Sequence, residues 1–189
     1  MTFPADEAAV RALRAGDSVT VDGHVIGIRD RTQVRIFDLG ERPPFDLTGA
    51  LLLHTAPNVR KLGPGRYEKV CIGTTTSARM VRFTEPLGRD YAVRAIAGKG
   101  GLPDEAIEPM RRLGMVYFAI VGGAAALETT QIEEIEEVAW EELMPECLWK
   151  FRVRDFGPLT VAIDSHGNSL YREVQDEAHR KLEDLYARL

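Results

Sequence analysis

Three stretches of this chain could hold a small anion. Arg29-Asp30 follows an apolar run, and charged residues at strand ends often face a ligand cleft. A guanidinium presents a planar fork that matches a carboxylate; the other reading of the pair is a surface ion pair. Gly73-Thr74-Thr75-Thr76-Ser77-Ala78-Arg79-Met80 sets four consecutive hydroxyls behind a glycine. Such a run can aim N–H and O–H donors at an anion from a helix start, or simply cap a helix. On a helix Thr75 and Arg79 would share one face. The run has no lysine, so it is not a phosphate-binding GxxxxGK[ST] loop. Gly98-Lys99-Gly100-Gly101 lets backbone approach a ligand beside an ammonium, or is a turn with a solvent-facing lysine.

Other polar groups read as structural. The acids Glu133, Glu134, Glu136 and Glu137 suit a solvated face. The histidines (His24, His54, His166, His179) lack metal-ligand spacing. His54, after an apolar run, could lie near a site. Asp164-Ser165-His166-Gly167-Asn168 has strong turn chemistry.

The 189 residues carry a formal charge of -5, which leaves no basic footprint for nucleic acid. An anionic substrate must be held by a local group of cations. Cys71 and Cys147 make neither a disulfide framework nor a CxxC metal site, so a reducing, cytoplasmic setting is expected. The start of the chain does not read as a leader. The apolar stretch 115–127 falls short of the ~20 residues a membrane span needs.

The elements that must position these groups are of mixed type. Helices are expected at Asp6–Ala15, around Thr32–Leu39, from Thr75 toward Phe83, at Leu102–Leu113 with Pro109 inside, and at Ser169–Leu189. The last has apolar residues recurring three or four apart. Val19, Val21, Ile26 and Ile28 flank Asp22-Gly23 as in a tight hairpin. Strands are expected at Ala50–His54, at Tyr67–Ile72 (burying Cys71), at Tyr91–Ala97 and at Met115–Val121, with a pair, Leu148–Phe156 and Leu159–Ile163, joined by Gly157-Pro158. Pro57–Arg66 reads as a loop, and Gln131–Leu143 fits neither period. The pattern argues a single α/β domain over residues 1–189.

Taken in order, the motifs are more specific than any one alone. They are Arg29-Asp30, Leu53 to Lys61, Gly73 to Met80, Gly98 to Gly101, Trp140 to Glu146 with Leu148-Trp149, Phe156 to Leu159, and Ile163 to Asn168. This set resembles the β subunit of two-chain class I fumarases and L-tartrate dehydratases, over nearly the whole chain. The resemblance implies a swivelling β/β/α domain that closes over a [4Fe–4S] cluster held by a cluster-binding α subunit. Two cysteines cannot hold such a cluster. It implies reversible dehydration of a hydroxy-dicarboxylate, with fumarate/L-malate favoured and L-tartrate or a methylated C4 acid next. Arg29 and Arg79 would then clamp carboxylates and Lys99 would be a further cationic anchor. Thr75 would stand at the proposed base, or would only donate a hydrogen bond to substrate. The resemblance places no metal on this chain. A homodimer of isolated chains stays open.

Three positions depart from the family pattern. Gln33 stands where a histidine is usual, Thr74 where a proline is usual, and Ala56 where a glycine is usual. They motivate a rival, a non-enzymatic carboxylate-binding or regulatory module that kept the fold. A weaker option is a domain carrying phosphate on His54.

Overall fold

Leu51–His54 is buried at every position, as a parallel strand covered on both faces must be. Around it the computed structural model describes residues 1–121, 123 and 125–187. In chain order these form β1 (Thr2–Phe3), α1 (Glu7–Arg11), β2 (Ser18–Ile28), α2 (Asp30–Phe37), β3 (Leu51–His54), β4 (Asn58–Gly63) and β5 (Arg66–Cys71). There follow α3 (Thr84–Tyr91), β6 (Ala95–Gly98), α4 (Ile107–Leu113), β7 (Val116–Ala119), α5 (Ala125–Glu128), β8 (Ile132–Ala139), β9 (Leu148–Ile163) and α6 (Leu170–Tyr186). The architecture is mixed α/β, as expected.

A seven-stranded sheet runs β1-β2-β3-β6-β7-β9-β8, and β9 also pairs with β2. Neighbours among β2, β3, β6 and β7 are parallel. β9 is antiparallel to both β7 and β2, so the pairings close on themselves. Strand alternation then separates two cores. Val25, Leu51, Leu53, Ala95, Ala97, Val116 and Phe118 pack inside the closed sheet with Phe151 and Val161. Ile26, Leu52, Ile96 and Tyr117 face outward under the helices with Met80, Phe83 and Met110.

This closure overturns several local expectations. Asp22-Gly23 is no hairpin turn, since β2 runs straight through it. Gly23 has φ +95, and a Cβ there would lie 2.2 Å from the Phe3 carbonyl oxygen. The glycine serves a bulge and the close approach of β1, with Phe3 in register with Gly23. Leu148–Ile163 is likewise one strand rather than a pair. Its first half pairs with β8 and β2 and its second half reaches β7, with Gly157-Pro158 in the bend between.

Part of the Pro57–Arg66 loop is β4, which pairs with β5 in a separate hairpin turned by Pro64-Gly65. Cys71, at the end of that hairpin, is half-exposed rather than buried. Tyr91 ends α3, a helix absent from the expectations, and the strand begins at Ala95 after left-handed Ala92. The helix expected from Thr75 is a 3-10 helix, Ser77–Phe83. Asp104–Ala106 is a 3-10 turn ahead of α4. Pro109 sits in the first turn of α4, where its missing N–H leaves no bond unmade. The ambiguous segment contains edge strand β8, whose glutamates pair with Lys150, Arg152 and Arg154 of β9. α6 is a helix as expected, but none of its residues is buried. Leu189, counted in its apolar stripe, lies outside the described residues.

Candidate functional site

β2, β3 and β6 are parallel neighbours, so their carboxyl ends lie at one edge of the sheet, where α/β proteins commonly bind ligands. Arg29 follows β2, His54 ends β3 and Lys99 follows β6. Between the last two runs the hydroxyl segment. The Thr75 N–H donates to the His54 carbonyl at 2.8 Å, and the Ser77 N–H donates to the Lys99 carbonyl at 2.9 Å. The Lys99 N–H donates to the Thr75 carbonyl at 3.3 Å. Thr75 and Lys99, 24 positions apart in sequence, are thus held by main-chain bonds.

The Thr75 side chain is 7% exposed. Its hydroxyl makes no hydrogen bond among the described residues, nor does the Lys99 ammonium form an ion pair there. Arg79 leaves the 3-10 helix and donates from Nη2 to Asp30 Oδ2 at 2.8 Å. Arg29 Nε lies 3.4 Å from the same oxygen and 3.8 Å from Glu146 Oε1. The Arg29-Asp30 ion pair of the bland reading therefore exists, and it also ties Arg29 to Arg79. Glu146 anchors the start of α2 as well, since its Oε2 accepts from the Arg31 N–H at 2.9 Å. Asp30 and Glu146 are both visible in the motifs, but nothing local shows that Glu146 joins Arg29 or that Asp30 joins Arg79.

Beneath these groups lies a buried polar chain. Gly98 faces the helical side of the sheet, and a Cβ there would lie 2.0 Å from Ser77 Oγ. In that space Ser77 Oγ meets His54 Nδ1 at 2.9 Å and receives the Tyr117 hydroxyl at 3.0 Å. Burial pushes the His54 ring down to about 4 against its ordinary 6.5, so it is neutral at working pH. Burial likewise raises the Tyr117 phenol and keeps it a donor. A ring only 1% exposed cannot easily take up phosphate, which counts against the phosphohistidine option. Ser77 is marked in the sequence only as one of the four consecutive hydroxyls, and Tyr117 goes unremarked there, its one signal being a hydroxyl amid apolar strand residues.

Two of the three departures carry buried oxygens that have no hydrogen-bond partner among the described residues, Gln33 Oε1 and Thr74 Oγ1. Gln33 Nε2 contacts Met80 Sδ at 3.0 Å. Asp164, by contrast, is structural. Its carboxylate accepts from the N–H groups of Ala15, His166 and Asn168 at 3.1, 2.9 and 3.0 Å, which closes the turn before α6.

No group of three or more His, Cys, Asp or Glu side chains able to hold a metal occurs among the described residues. Burial raises the Cys147 thiol to about 11, away from the thiolate a cluster iron requires. The described residues therefore do not fit an iron–sulfur cluster on this chain.

The model of the fumarase C-terminus family matches residues 2–174. The chain belongs to that family. Among family members, the L(+)-tartrate dehydratase subunit beta of Escherichia coli K12 is 39% identical over 174 residues, covering 92% of this chain and 86% of that one. A provisionally named L(+)-tartrate dehydratase subunit beta of Methanocaldococcus jannaschii is 38% identical over 181 residues, covering 93% and 92%. A provisionally named class I fumarate hydratase of Geobacillus stearothermophilus is 33% identical over 180 residues, covering 95% of this chain but 34% of that protein. The family match takes in Arg29, Thr75, Arg79 and Lys99 and stops within α6, which continues to Tyr186. No helix among the described residues is long and apolar enough to cross a membrane.

Proposed function

We propose that this chain, working as one domain over residues 1–189, is the β subunit of a heteromeric hydro-lyase that reversibly dehydrates a four-carbon hydroxy-dicarboxylate. The observation that carries the reading is that Arg29, Thr75 and Lys99 stand at the carboxyl ends of β2, β3 and β6, with Thr75 tied to Lys99 by main-chain bonds and Arg79 joined to Arg29 through Asp30. Arg29 and Arg79 hold the two carboxylates by charge-assisted bonds, the strongest hydrogen bonds available to a side chain. Lys99 stabilises the negative charge that grows as a proton leaves the carbon beside a carboxylate. Thr75 meets the reacting carbon either as the base or as a hydrogen-bond donor. As a base it needs neighbouring charge from the partner, since a free hydroxyl is weak.

The [4Fe–4S] cluster belongs in this reading to the cluster-binding α subunit, and the chain swivels to close on it in a cytoplasmic setting. The names of the relatives support a hydro-lyase. Higher identity to tartrate dehydratase subunits than to the fumarate hydratase puts L-tartrate level with the fumarate/L-malate pair. A second reading, a carboxylate-binding module without turnover, is favoured by the Gln33 and Thr74 oxygens, which are buried and unpaired among the described residues.

The test is anaerobic co-expression with a cluster-bearing subunit, cluster reconstitution, and assay of fumarate by ultraviolet absorbance and of tartrate loss. Turnover that needs both chains, collapses in Thr75→Ala and demands far more substrate in Arg79→Ala supports the reading. A loaded complex inert toward malate, both tartrates and methylated analogues favours the binding module.

A further inference from the structure

We infer that His54 is a positioning residue for Thr75, held as the Nε2–H tautomer by a hydrogen-bond chain that begins at the Tyr117 hydroxyl and ends in a buried donor. The inference rests on the reading of Thr75 as the hydroxyl that meets substrate. His54 grips the segment at two points, with its carbonyl on the Thr75 N–H at 2.8 Å and with Nδ1 on Ser77 Oγ at 2.9 Å. Turning the ring or losing the Ser77 bond therefore moves the strip of backbone that carries the Thr75 hydroxyl.

Proton counting fixes the tautomer. The Tyr117 hydroxyl donates to Ser77 Oγ. Ser77 has one proton and, among the described residues, His54 Nδ1 is its remaining partner. If Nδ1 accepts it, the one unmet group is Nε2–H. If Nδ1 instead carried a proton, both the Ser77 hydroxyl proton and bare Nε2 would be unmet. Each unmet buried group costs its full desolvation penalty, so the arrangement with one such group prevails over that with two. His54 Nε2 is indeed buried without a partner among the described residues. The chain thus ends in a buried N–H donor, which an ordered water would satisfy.

Nitrogen-15 imidazole spectra of the full chain at neutral pH test the tautomer directly. A protonated Nε2 and bare Nδ1 are expected; the reverse overturns the inference. Ser77→Ala should shift the His54 ring signals and the Thr75 amide together, and an unmoved Thr75 amide would also overturn it. In the complex with the cluster subunit, His54→Phe should lower kcat about 10²-fold, the penalty typical of a misplaced reacting group, with KM little changed. His54→Asn, which keeps an acceptor near the Nδ1 position, should restore much of the loss. Variants that lose thermal stability yet keep kcat per folded complex would show a merely structural histidine. If wild type itself shows no turnover, the hydro-lyase reading fails, and the spectra alone decide the place of His54.

Discussion

The Asp30 carboxylate joins Arg79 to the start of α2, with Arg79 Nη2 to Asp30 Oδ2 at 2.8 Å across 49 positions of sequence. Arg29 Nε is 3.4 Å from the same oxygen. The Arg79 and Asp30 side chains are 52% and 37% exposed, and exposed pairs are worth about 0–1 kcal/mol. The pair thus matters more for aim than for stability. Asp30→Asn should shift the unfolding midpoint little and raise KM for the dicarboxylate, since two guanidinium groups lose their common anchor. Thermal melts and steady-state kinetics on one preparation check this; a large loss of stability with unchanged KM would contradict it.

Arg79 and Lys99 should differ in what their loss does. A carboxylate clamp acts in ground and transition states alike, so Arg79→Ala should chiefly raise KM, by about 10–100-fold for a bond worth 1.5–3 kcal/mol. Arg79→Lys should recover little, because an ammonium lacks the two-pronged fork. Lys99→Met should chiefly lower kcat if its charge answers the growing carbanion. Equal effects on kcat and KM at both positions would remove the division of roles.

Acid and base should act on stability through two buried groups of opposite sign. His54 is lowered from 6.5 to about 4, so between those values the unfolded chain holds a proton that the folded one lacks. Its contribution is complete above pH 6.5 and is lost as pH falls toward 4, about 3 kcal/mol in all. Burial raises Glu128 from 4.5 to about 7, so the folded chain keeps the proton. That contribution is complete below pH 4.5 and is lost as pH rises through 7, again about 3 kcal/mol. Between pH 4.5 and 6.5 the slopes oppose, and urea midpoints should show only a weak net trend from this pair. Glu128→Gln should grow more stable with rising pH relative to wild type, and His54→Asn less stable. Parallel profiles for all three would refute the assignment.

Gly98→Ala should be costly at a position that looks permissive in sequence. The added carbon would sit 2.0 Å from Ser77 Oγ and 3.3 Å from the His54 Cβ, and overpacking of this kind costs about 1–3 kcal/mol. Ser77 must then leave its place between Tyr117 and His54. The double variant with Ser77→Ala should recover stability but not kcat. Full recovery of both would deny the buried chain its positioning role.

The sequence by itself determined the mixed α/β class and the positions of α1, α2, α4 and α6 to within a few residues. It also marked Arg29, Thr75, Arg79 and Lys99. Helix starts carry local chemistry, as in the Asp6 and Ser169 caps, whose side chains accept from Ala9 and Arg172 N–H groups. Strand extent was decided by the tertiary structure. Asp22-Gly23 and Gly157-Pro158 carry the local marks of turns, yet both lie inside long strands, because closing the sheet between β2 and β9 supplies pairing that a turn would forfeit. The exposure of α6 is likewise tertiary. Its apolar spacing forms a helix stripe, but the outward face of the sheet is already covered by other elements, and Val174, Leu182 and Leu185 remain 66%, 46% and 60% exposed. The links from Asp30 to Arg79 and from His54 through Ser77 to Tyr117 join residues 23 to 49 positions apart. A side chain's type states what it can bond, and only the packing of parallel strand ends decides what stands within 3 Å of it.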